Sequence, residues 1–265
     1  MKGLVDIGAN LSHESFTHDR EDVISRAIAA GVGAMIITGT SVEGSRAAIA
    51  VARGRAPLLH ATVGVHPHDS EGFDDAALAT LESLALDESV VSLGECGLDY
   101  YRDYSPREAQ RHAFEAQLDL AARTPLPLFL HERDATDDML AMLRPVRDRL
   151  ADAVIHCFTG TREALHAYLD LGLYIGITGW ICDERRGLHL REFVGDIPRD
   201  RLMIETDAPY LLPRTIRPMP KHRRNEPCYL PYVVTAIAES TGRAPEDVAH
   251  ETAETARRFF RLPPA

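Results

Sequence analysis

Residues 90–121 read VVSLGECGLDYYRDYSPREAQRHAFEAQLDLA, and this stretch predicts a strand followed by a helix. Val90–Leu93 is a short, apolar and β-branched run, which is typical of a strand buried on both faces. The strand ends near the carboxylate of Glu95. The segment Ser105–Glu108 then supplies an N-cap serine, a proline at the first helical position and a capping-box glutamate. The stretch therefore predicts one strand–helix unit with an acidic side chain at its strand end.

The same unit recurs along the chain. Seven further apolar runs are typical of buried strands: Leu4–Ile7, Ala34–Thr38, Leu58–Val63, Pro127–Leu130, Ala153–Ile155, Leu173–Ile177 and Leu202–Ile204. Eight strands that alternate with helices predict a parallel sheet, and eight such units close naturally into a barrel. The alternative, an open doubly wound sheet, usually carries a glycine-rich phosphate turn, and neither GxGxxG nor GxxxxGK[ST] occurs. We therefore expect an α/β fold, a (β/α)8 TIM barrel, as a single domain over residues 1–265.

Composition narrows the functional classes. The chain has 265 residues, of which 45% are hydrophobic and 26% charged, which is ordinary for a soluble globular protein. Lys and Arg total 29 against 40 Asp and Glu, and the resulting net charge of −11 argues against nonspecific coating of DNA. Only Lys2 and Lys221 are lysines, so the positive charge is almost all arginine, which favours bidentate contacts with phosphate or carboxylate.

The sequence predicts a cytoplasmic protein. The longest charge-free stretch, Ala27–Val42, contains three glycines and is too short to span a membrane. Asp6 interrupts the N-terminal segment before an apolar signal-peptide core forms. The four cysteines form no CxxC pair, which is typical of reduced thiols. We expect no membrane association and a monomer with no obligatory protein partner.

Polar groups follow five of the predicted strands. These residues are His66, Glu95, His131, His156 and Asp207. Because the carboxyl ends of barrel strands share one rim, we expect these side chains to meet in one cleft. Imidazole and carboxylate donors suit Zn²⁺, Mn²⁺ or Fe²⁺, and a carboxylate-rich shell with waters suits Mg²⁺. One such histidine is usually an ordinary surface residue, but five groups in register with barrel units favour a metal site. Cys96 and Cys157 follow two of them and are expected to pack away from the site.

Six motifs in chain order resemble the TatD family of metal-dependent deoxyribonucleases, within the amidohydrolase-like barrels. They are Gly64–His68, Gly94–Tyr100, His131–Ala135, His156–Gly160, Glu205–Pro213 and Arg223–Pro227. The resemblance implies a TIM barrel and Mg²⁺-dependent hydrolysis of phosphodiesters, with Mn²⁺ or Zn²⁺ as other possible cofactors. It also implies that Glu95, His131 and His156 are the principal metal ligands, and that Asp207 binds metal or activates water.

Strand 1 departs from the common pattern of the family. Many members carry Asp-x-His-x-His there, whereas Asp6–Asn10 reads DIGAN, with Gly8 and Asn10 at the histidine positions. Together with Cys182–Arg186, this variant resembles one group of family members. That resemblance implies a 3′→5′ exonuclease that acts on single-stranded DNA and RNA and is linked to repair of oxidative damage. We expect one tightly held ion and a weak or substrate-completed second site with oxygens from Asp6 and Asp207. The alternative is that water replaces the imidazoles and two ions bind equally well.

Basic and aromatic side chains cluster around the predicted rim. The basic residues after strands 7 and 8 are Arg185, Arg186, Arg217, Lys221, Arg223 and Arg224, and the aromatic ones near the rim are Tyr100, Tyr101, Tyr104, Trp180 and Tyr210. The arginines are predicted to hold phosphates, and the aromatics to stack on unpaired bases. The alternative is that the arginines pair with Asp183, Glu184 and Glu226 and the aromatics pack. Arg133, His66 and His68 are further predicted substrate contacts, with an ordinary turn as the alternative for His68.

The expected reaction is phosphodiester hydrolysis with catalytic roles for Asp207, Glu95 and His66. A second possibility is another metal-dependent barrel hydrolase, acting on an amide, lactone or phosphotriester. Many such enzymes use a carboxylated lysine on strand 4, where this chain has Glu95. A third is a noncatalytic metal-dependent binding protein, against which the near-complete ligand set argues. No GxSxG elbow is present, which argues against a serine hydrolase.

Overall fold

A computed structural model of the chain describes residues 1–263 and contains one sheet of eight parallel strands in chain order. The strands are β1 Leu4–Ala9, β2 Val32–Ile37, β3 Leu59–Val63, β4 Val90–Asp99, β5 Leu128–Arg133, β6 Ala153–Ile155, β7 Tyr174–Ile177 and β8 Leu202–Ile204. A bridge between Ala9 and Ala208 joins the first strand to the chain after the last. The Asn10 N–H donates to the Ala208 carbonyl at 2.7 Å, and the Asp207 N–H donates to the Gly8 carbonyl at 2.8 Å. The predicted barrel and all eight predicted strands are confirmed.

Helices alternate with the strands, as the sequence predicts. They are α1 Arg20–Ala29, α2 Val42–Ala52, α3 Asp75–Leu84, α4 Arg107–Ala121, α5 Thr136–Leu143, α6 Arg162–Asp170, α7 Leu188–Phe193, α8 Leu230–Thr241 and α9 Pro245–Phe260. Gly31 follows α1 with a φ of +94°, the predicted left-handed end of that helix. None of the helices within residues 1–263 is long and apolar enough to cross a membrane. The expectation of one domain over residues 1–265 stays a prediction.

The predicted N-cap of α4 is wrong. The N-cap position of α4 is occupied by Pro106, and no side chain caps the N–H groups of the first turn of this helix. The hydroxyl of Ser105 donates to the His68 carbonyl at 2.8 Å and accepts from the Glu71 N–H at 3.3 Å. The Ser105 hydroxyl is thus hydrogen-bonded to the loop after β3. Because Ser105 itself lies in the loop after β4, these bonds link the two loops.

The inside of the barrel is apolar at its amino-terminal end. Alternation along β1 points Val5 and Ile7 into an inner cluster that is separate from the cluster between the sheet and the helices. Helix α9 contributes Phe259 and Phe260 to that inner cluster, and the Phe259 ring lies 4.9 Å from that of Tyr174. Apolar packing therefore closes this end of the barrel.

Two buried glutamines of α4 fix the ends of the strands that carry the site. Gln117 accepts from the Val65 N–H at 2.8 Å and donates to its carbonyl at 3.0 Å. Gln110 makes the same pair of bonds to the backbone of Asp99, at 2.8 and 3.2 Å. The backbone beside His66 and at Asp99 is thus held as firmly as in a sheet ladder.

Candidate active site

Three imidazoles converge on one carboxylate oxygen at the rim. Glu95 Oε1 lies 2.6 Å from His156 Nε2, 2.8 Å from His131 Nδ1 and 3.3 Å from His66 Nε2. These residues come from β4, β5 and the ends of β3 and β6, and Glu95 and His156 are buried. Four of the five side chains predicted to meet from sequence do lie together around a single point.

The charges of these groups depend on one another. Burial opposes ionisation of Glu95, but the imidazoles of His156 and His66 outweigh it and hold the pKa of Glu95 well below its usual range. Burial likewise opposes a charge on His156, but Glu95 and Glu205 raise its pKa well above the usual value. Burial wins at His66 and lowers its pKa to about 4. The cluster therefore stabilises positive charge next to Glu95.

The donor set fits a divalent cation. Ligand atoms of His66, Glu95 and His131 all lie within 4.8 Å of one another. In addition, Nε2 of His131 is buried and makes no hydrogen bond of good geometry among the described residues, although it lies 3.4 Å from Asp99 Oδ2. A buried imidazole nitrogen of this kind needs a partner, and a metal ion or its bound water is one that imidazole accepts.

Glu205 is a functional candidate that the sequence reasoning did not single out. It is fully buried, with Oε2 at 3.3 Å from His156 Nδ1 and Oε1 accepting from the Cys157 N–H at 2.5 Å. Glycines provide the space for its carboxylate. A Cβ on Gly176 would lie 2.7 Å from Oε1, and one on Gly8 would collide with Oε2. The spacing Glu205-Thr-Asp207 was the available signal, because alternate residues share one face.

Asp6 has both carboxylate oxygens engaged in hydrogen bonds, which argues against the sequence-based expectation that they serve a second ion. Its Oδ1 accepts from the Thr206 N–H at 2.8 Å and its Oδ2 from the Thr206 hydroxyl at 2.5 Å. The side chain is fully buried, and burial raises its pKa to about 7. Asp6 therefore joins β1 to the chain after β8 at the barrel seam.

Asp207 lies on the β8 side of the same cluster. Burial raises its pKa to about 7, and the negative charges of Glu95 and Glu205 add to this, although His156 opposes it. Its Oδ1 accepts from the Asn10 side-chain amide at 3.1 Å. Asn10, at one of the positions where many relatives have histidine, thus holds the carboxyl group of Asp207.

Asp99, also missed from sequence, connects His68 to the cluster. Its Oδ2 lies 2.6 Å from His68 Nε2 and 3.4 Å from His131 Nε2. Its Oδ1 accepts from the N–H groups of Tyr101 and Arg102, at 3.0 and 2.8 Å. Burial opposes its ionisation, but the histidines and these N–H donors hold its pKa far below the usual range. His68 is therefore fixed beside the site.

Most of the predicted phosphate-binding arginines are already paired with carboxylates. Arg185 and Arg186 lie 2.9 and 3.1 Å from Asp183, whose pKa their hydrogen bonds hold below its usual range. Both arginine side chains stay more than half exposed, so a phosphate can still reach them. Arg224 differs, because its side chain is only 18% exposed.

Arg224 lies 2.6 Å from Asp19 and 2.7 Å from Glu226. Its guanidinium therefore ties α1 to the loop after β8, and the predicted role of Arg224 in phosphate binding is not supported. Arg223 is exposed on the same loop, with a φ of +54°.

The rim aromatics divide into packed and exposed rings. The Tyr100 hydroxyl donates to Asp138 at 2.5 Å, and Trp180 is 9% exposed, so the packing alternative holds for both. Tyr101, Tyr104 and Tyr210 are exposed by 59, 65 and 52%. Only these three tyrosines keep faces that a base could reach.

Comparison with known proteins agrees with this site. A family profile described as TatD related DNase matches residues 5–261. This chain belongs to the TatD-related DNase family. The 3'-5' ssDNA/RNA exonuclease TatD of Erwinia billingiae is 51% identical over 260 residues, which cover 98% of this chain and 100% of that protein. The predicted class of enzyme, a nuclease that hydrolyses phosphodiesters, is confirmed.

Solved structures agree at the level of fold. A TatD homologue from Escherichia coli K12 superposes with a TM-score of 0.89 and 28% identity, covering 98% of each chain. An amidohydrolase from Saccharomyces cerevisiae has a TM-score of 0.84 at 24% identity, covering 98% of this chain and all of its own, which shows the shared fold alone. The predicted barrel is thus the fold that both solved structures share with this chain.

Proposed function

We propose that this chain is a metal-dependent exonuclease that removes nucleotides from the 3′ ends of single-stranded DNA and RNA. The observation that carries the proposal is the convergence of His66, His131 and His156 on Glu95 Oε1 beside Asp207. The proposed substrate and the 3′→5′ direction are taken from the name of the Erwinia billingiae relative. That protein is 51% identical to this chain over 260 residues.

Glu95, His131 and His156 would hold the ion, as the family resemblance implies, with Asp207 beside it as a further donor. His66 would also be near, because its ligand atom lies within 4.8 Å of those of Glu95 and His131. A divalent cation bound there would stabilise the charge that develops on the phosphate and lower the pKa of a bound water. Mg²⁺ is the sequence-based prediction. The imidazole nitrogens suit Mn²⁺ or Zn²⁺ better, so a metal profile on one substrate is the measurement that decides.

Asp207 is the proposed proton acceptor. Its buried carboxyl group lies beside Glu95 and His156, where it can take a proton from the attacking water. The Asn10 amide donates to its Oδ1 and orients it. His66, which burial keeps neutral near pH 7, can donate a hydrogen bond to a phosphate oxygen without carrying a charge.

Phosphate binding outside the cluster is assigned to Arg133 and to the exposed Arg185, Arg186 and Arg223. Arg133 lies two residues after His131 on β5, so both side chains point toward the rim. His68, fixed by Asp99, is the contact nearest the loop after β3. Cytoplasmic location, the monomeric state and a role in repair of oxidative damage stay predictions.

The test uses the intact protein and a linear single-stranded oligonucleotide labelled at its 5′ end. We expect a ladder of products shortened from the 3′ end, little activity on a blunt duplex, and loss of turnover on chelation that Mg²⁺ or Mn²⁺ reverses. A circular single strand cut as fast as the linear one would exclude the exonuclease. Turnover of an amide, lactone or phosphotriester panel without oligonucleotide cleavage would favour the other class of barrel hydrolase.

The number of ions is tested by equilibrium metal titration of the substrate-free protein. Gly8 has no side chain and Asn10 has only a neutral amide, while the carboxylate of Asp6 accepts hydrogen bonds from Thr206. We therefore expect about one tight ion per chain. Two equally tight ions would contradict this expectation.

A further inference from the structure

The loop after β4 presents an exposed aromatic ring beside an arginine. Tyr101 is 59% exposed, and the guanidiniums of Arg133 and Arg102 lie 4.9 and 5.7 Å from its ring centroid. The turn that carries Tyr101 is fixed, because Asp99 accepts from the Tyr101 N–H at 3.0 Å. The same carboxylate contacts His68, so the ring is held at a set position relative to the histidine cluster.

Arg133 is held by rings and a hydroxyl. Its guanidinium also lies 4.9 Å from the Trp180 ring, and its Nη1 donates to the Thr159 hydroxyl at 3.1 Å. Its closest acidic contact among residues 1–263 is Asp134, at 3.9 Å. Arg185 and Arg186, in contrast, each donate hydrogen bonds to the Asp183 carboxylate. Arg133 therefore keeps N–H donors for a phosphate while aromatic faces fix its plane.

The pairing of an open ring with an oriented guanidinium matches one nucleotide. A nucleotide presents a flat base and a phosphate a few ångströms apart, and stacking tolerates any base because every base has a π-face. Exposed large aromatics are otherwise scarce: Tyr104 lies edge-on to His68 at 4.7 Å and Tyr210 edge-on to His13 at 5.9 Å. Of the three exposed tyrosines, Tyr101 is the one that an arginine contacts while making no carboxylate contact shorter than 3.9 Å among residues 1–263.

We propose that Tyr101 and Arg133 form a nucleobase subsite, in which the Tyr101 ring stacks on a base near the 3′ end and Arg133 contacts that strand's phosphate. This subsite deepens the proposed nuclease function and rests on it. It accounts for a preference for unpaired strands, because a base paired in a duplex has no free face to offer the ring.

The kinetic test combines ring variants with abasic substrates. Tyr101→Ala is expected to raise KM about 10-fold on an intact single strand, as expected for one lost stack, with kcat changed less than about 3-fold. Tyr101→Phe keeps the ring and should bind like the unaltered protein. Oligonucleotides with one abasic residue at the terminal, penultimate or third position from the 3′ end locate the stack. At the stacked position the unaltered protein and Tyr101→Ala should have the same KM.

A matched control and a binding measurement complete the design. Leu86→Ala removes another exposed apolar side chain, after α3, and should leave KM unchanged. Equilibrium binding in chelator of an oligonucleotide carrying a fluorescent purine analogue needs no turnover, so it separates failure of the subsite from failure of the nuclease proposal. Quenching by the unaltered protein and not by Tyr101→Ala supports the subsite. An unchanged KM in Tyr101→Ala, or an equal loss on intact and all abasic strands, overturns it.

Discussion

The two halves of the active rim are built from different chemistry. On the side of β4 to β6, an ionised Glu95 is surrounded by imidazoles, two of which, His131 and His156, have raised pKa values because the carboxylates outweigh burial. On the side of β8 and β1, burial raises the pKa of Asp207 and of Asp6 to about 7. One half therefore gathers imidazoles around an ionised carboxylate, and the other contains buried carboxyl groups whose ionisation burial opposes.

The difference shows what the departure on β1 does for the site. Gly8 leaves a gap that is filled by the carboxylate of Glu205, which contacts Nδ1 of His156. A buried carboxylate that accepts from a ligating histidine fixes its tautomer and its ring orientation. The position that offers an imidazole in many relatives thus supports a ligand of the opposite half in this chain.

The largest expected effect comes from the imidazoles on the side of β4 to β6. His131→Ala and His156→Ala should each lower metal-dependent hydrolysis by at least ~10²-fold in a folded barrel, because each removes a donor for the cation. Circular dichroism checks the fold, and His250→Ala, an exposed histidine of α9, is the matched control. Activity of a His156→Ala protein within a few-fold of the original would contradict the ligand assignment.

The next effect tests the link between the halves. Glu205→Gln keeps the size of the side chain and removes its charge, so we expect metal affinity to fall about 10- to 100-fold. Nitrogen chemical shifts of His156 followed against pH should report a lower pKa in the metal-free protein, because Glu205 is one of the carboxylates that raise it. Glu254→Gln, on the exposed face of α9, controls for the loss of one negative charge. Unchanged affinity and unchanged shifts would mean that Glu205 only anchors the Cys157 N–H.

The smallest effect is on stability and concerns Gly8. Its missing Cβ leaves the room that Glu205 Oε2 occupies, so Gly8→Ala should lower the free energy of unfolding by about 1–3 kcal/mol, as overpacking does. Metal affinity should fall with it. Denaturant unfolding measures the change, with Gly72→Ala as the control because a Cβ there meets no atom within 4 Å.

The same collision predicts what a histidine at position 8 on β1 would do. Replacing Gly8 and Asn10 by histidines would displace Glu205 and remove the amide that holds Asp207. We expect weaker binding of the first ion in such a protein. A double variant that binds a second ion tightly, with the first ion unaffected, would show that Glu205 adapts at no cost.

Much of the fold and the site was predictable because both depend on local patterns. Short apolar runs alternating with helical segments predict the barrel, and in a barrel any polar residue at a strand end must lie on one rim. Glu95, His131 and His156 were found in this way. The cap at Ser105 failed for a physical reason: one hydroxyl can serve the helix or the neighbouring loop, and local sequence does not decide which.

The sequence by itself determined the order of the strands and the polar residues at their carboxyl ends. It also determined that Gly8 and Asn10, and not histidines, stand at the end of β1. Only the tertiary structure decided which carboxylates are available. Asp6 and Asp207 look equivalent in sequence, yet Asp6 is bound by Thr206 across the seam and Asp207 faces the imidazoles. The contact of Glu205 with His156 became visible only when the barrel placed Gly8 and Gly176 on either side of its carboxylate. Hydrogen bonds and close contacts between residues far apart in the chain exist only after closure, so no local pattern encodes them.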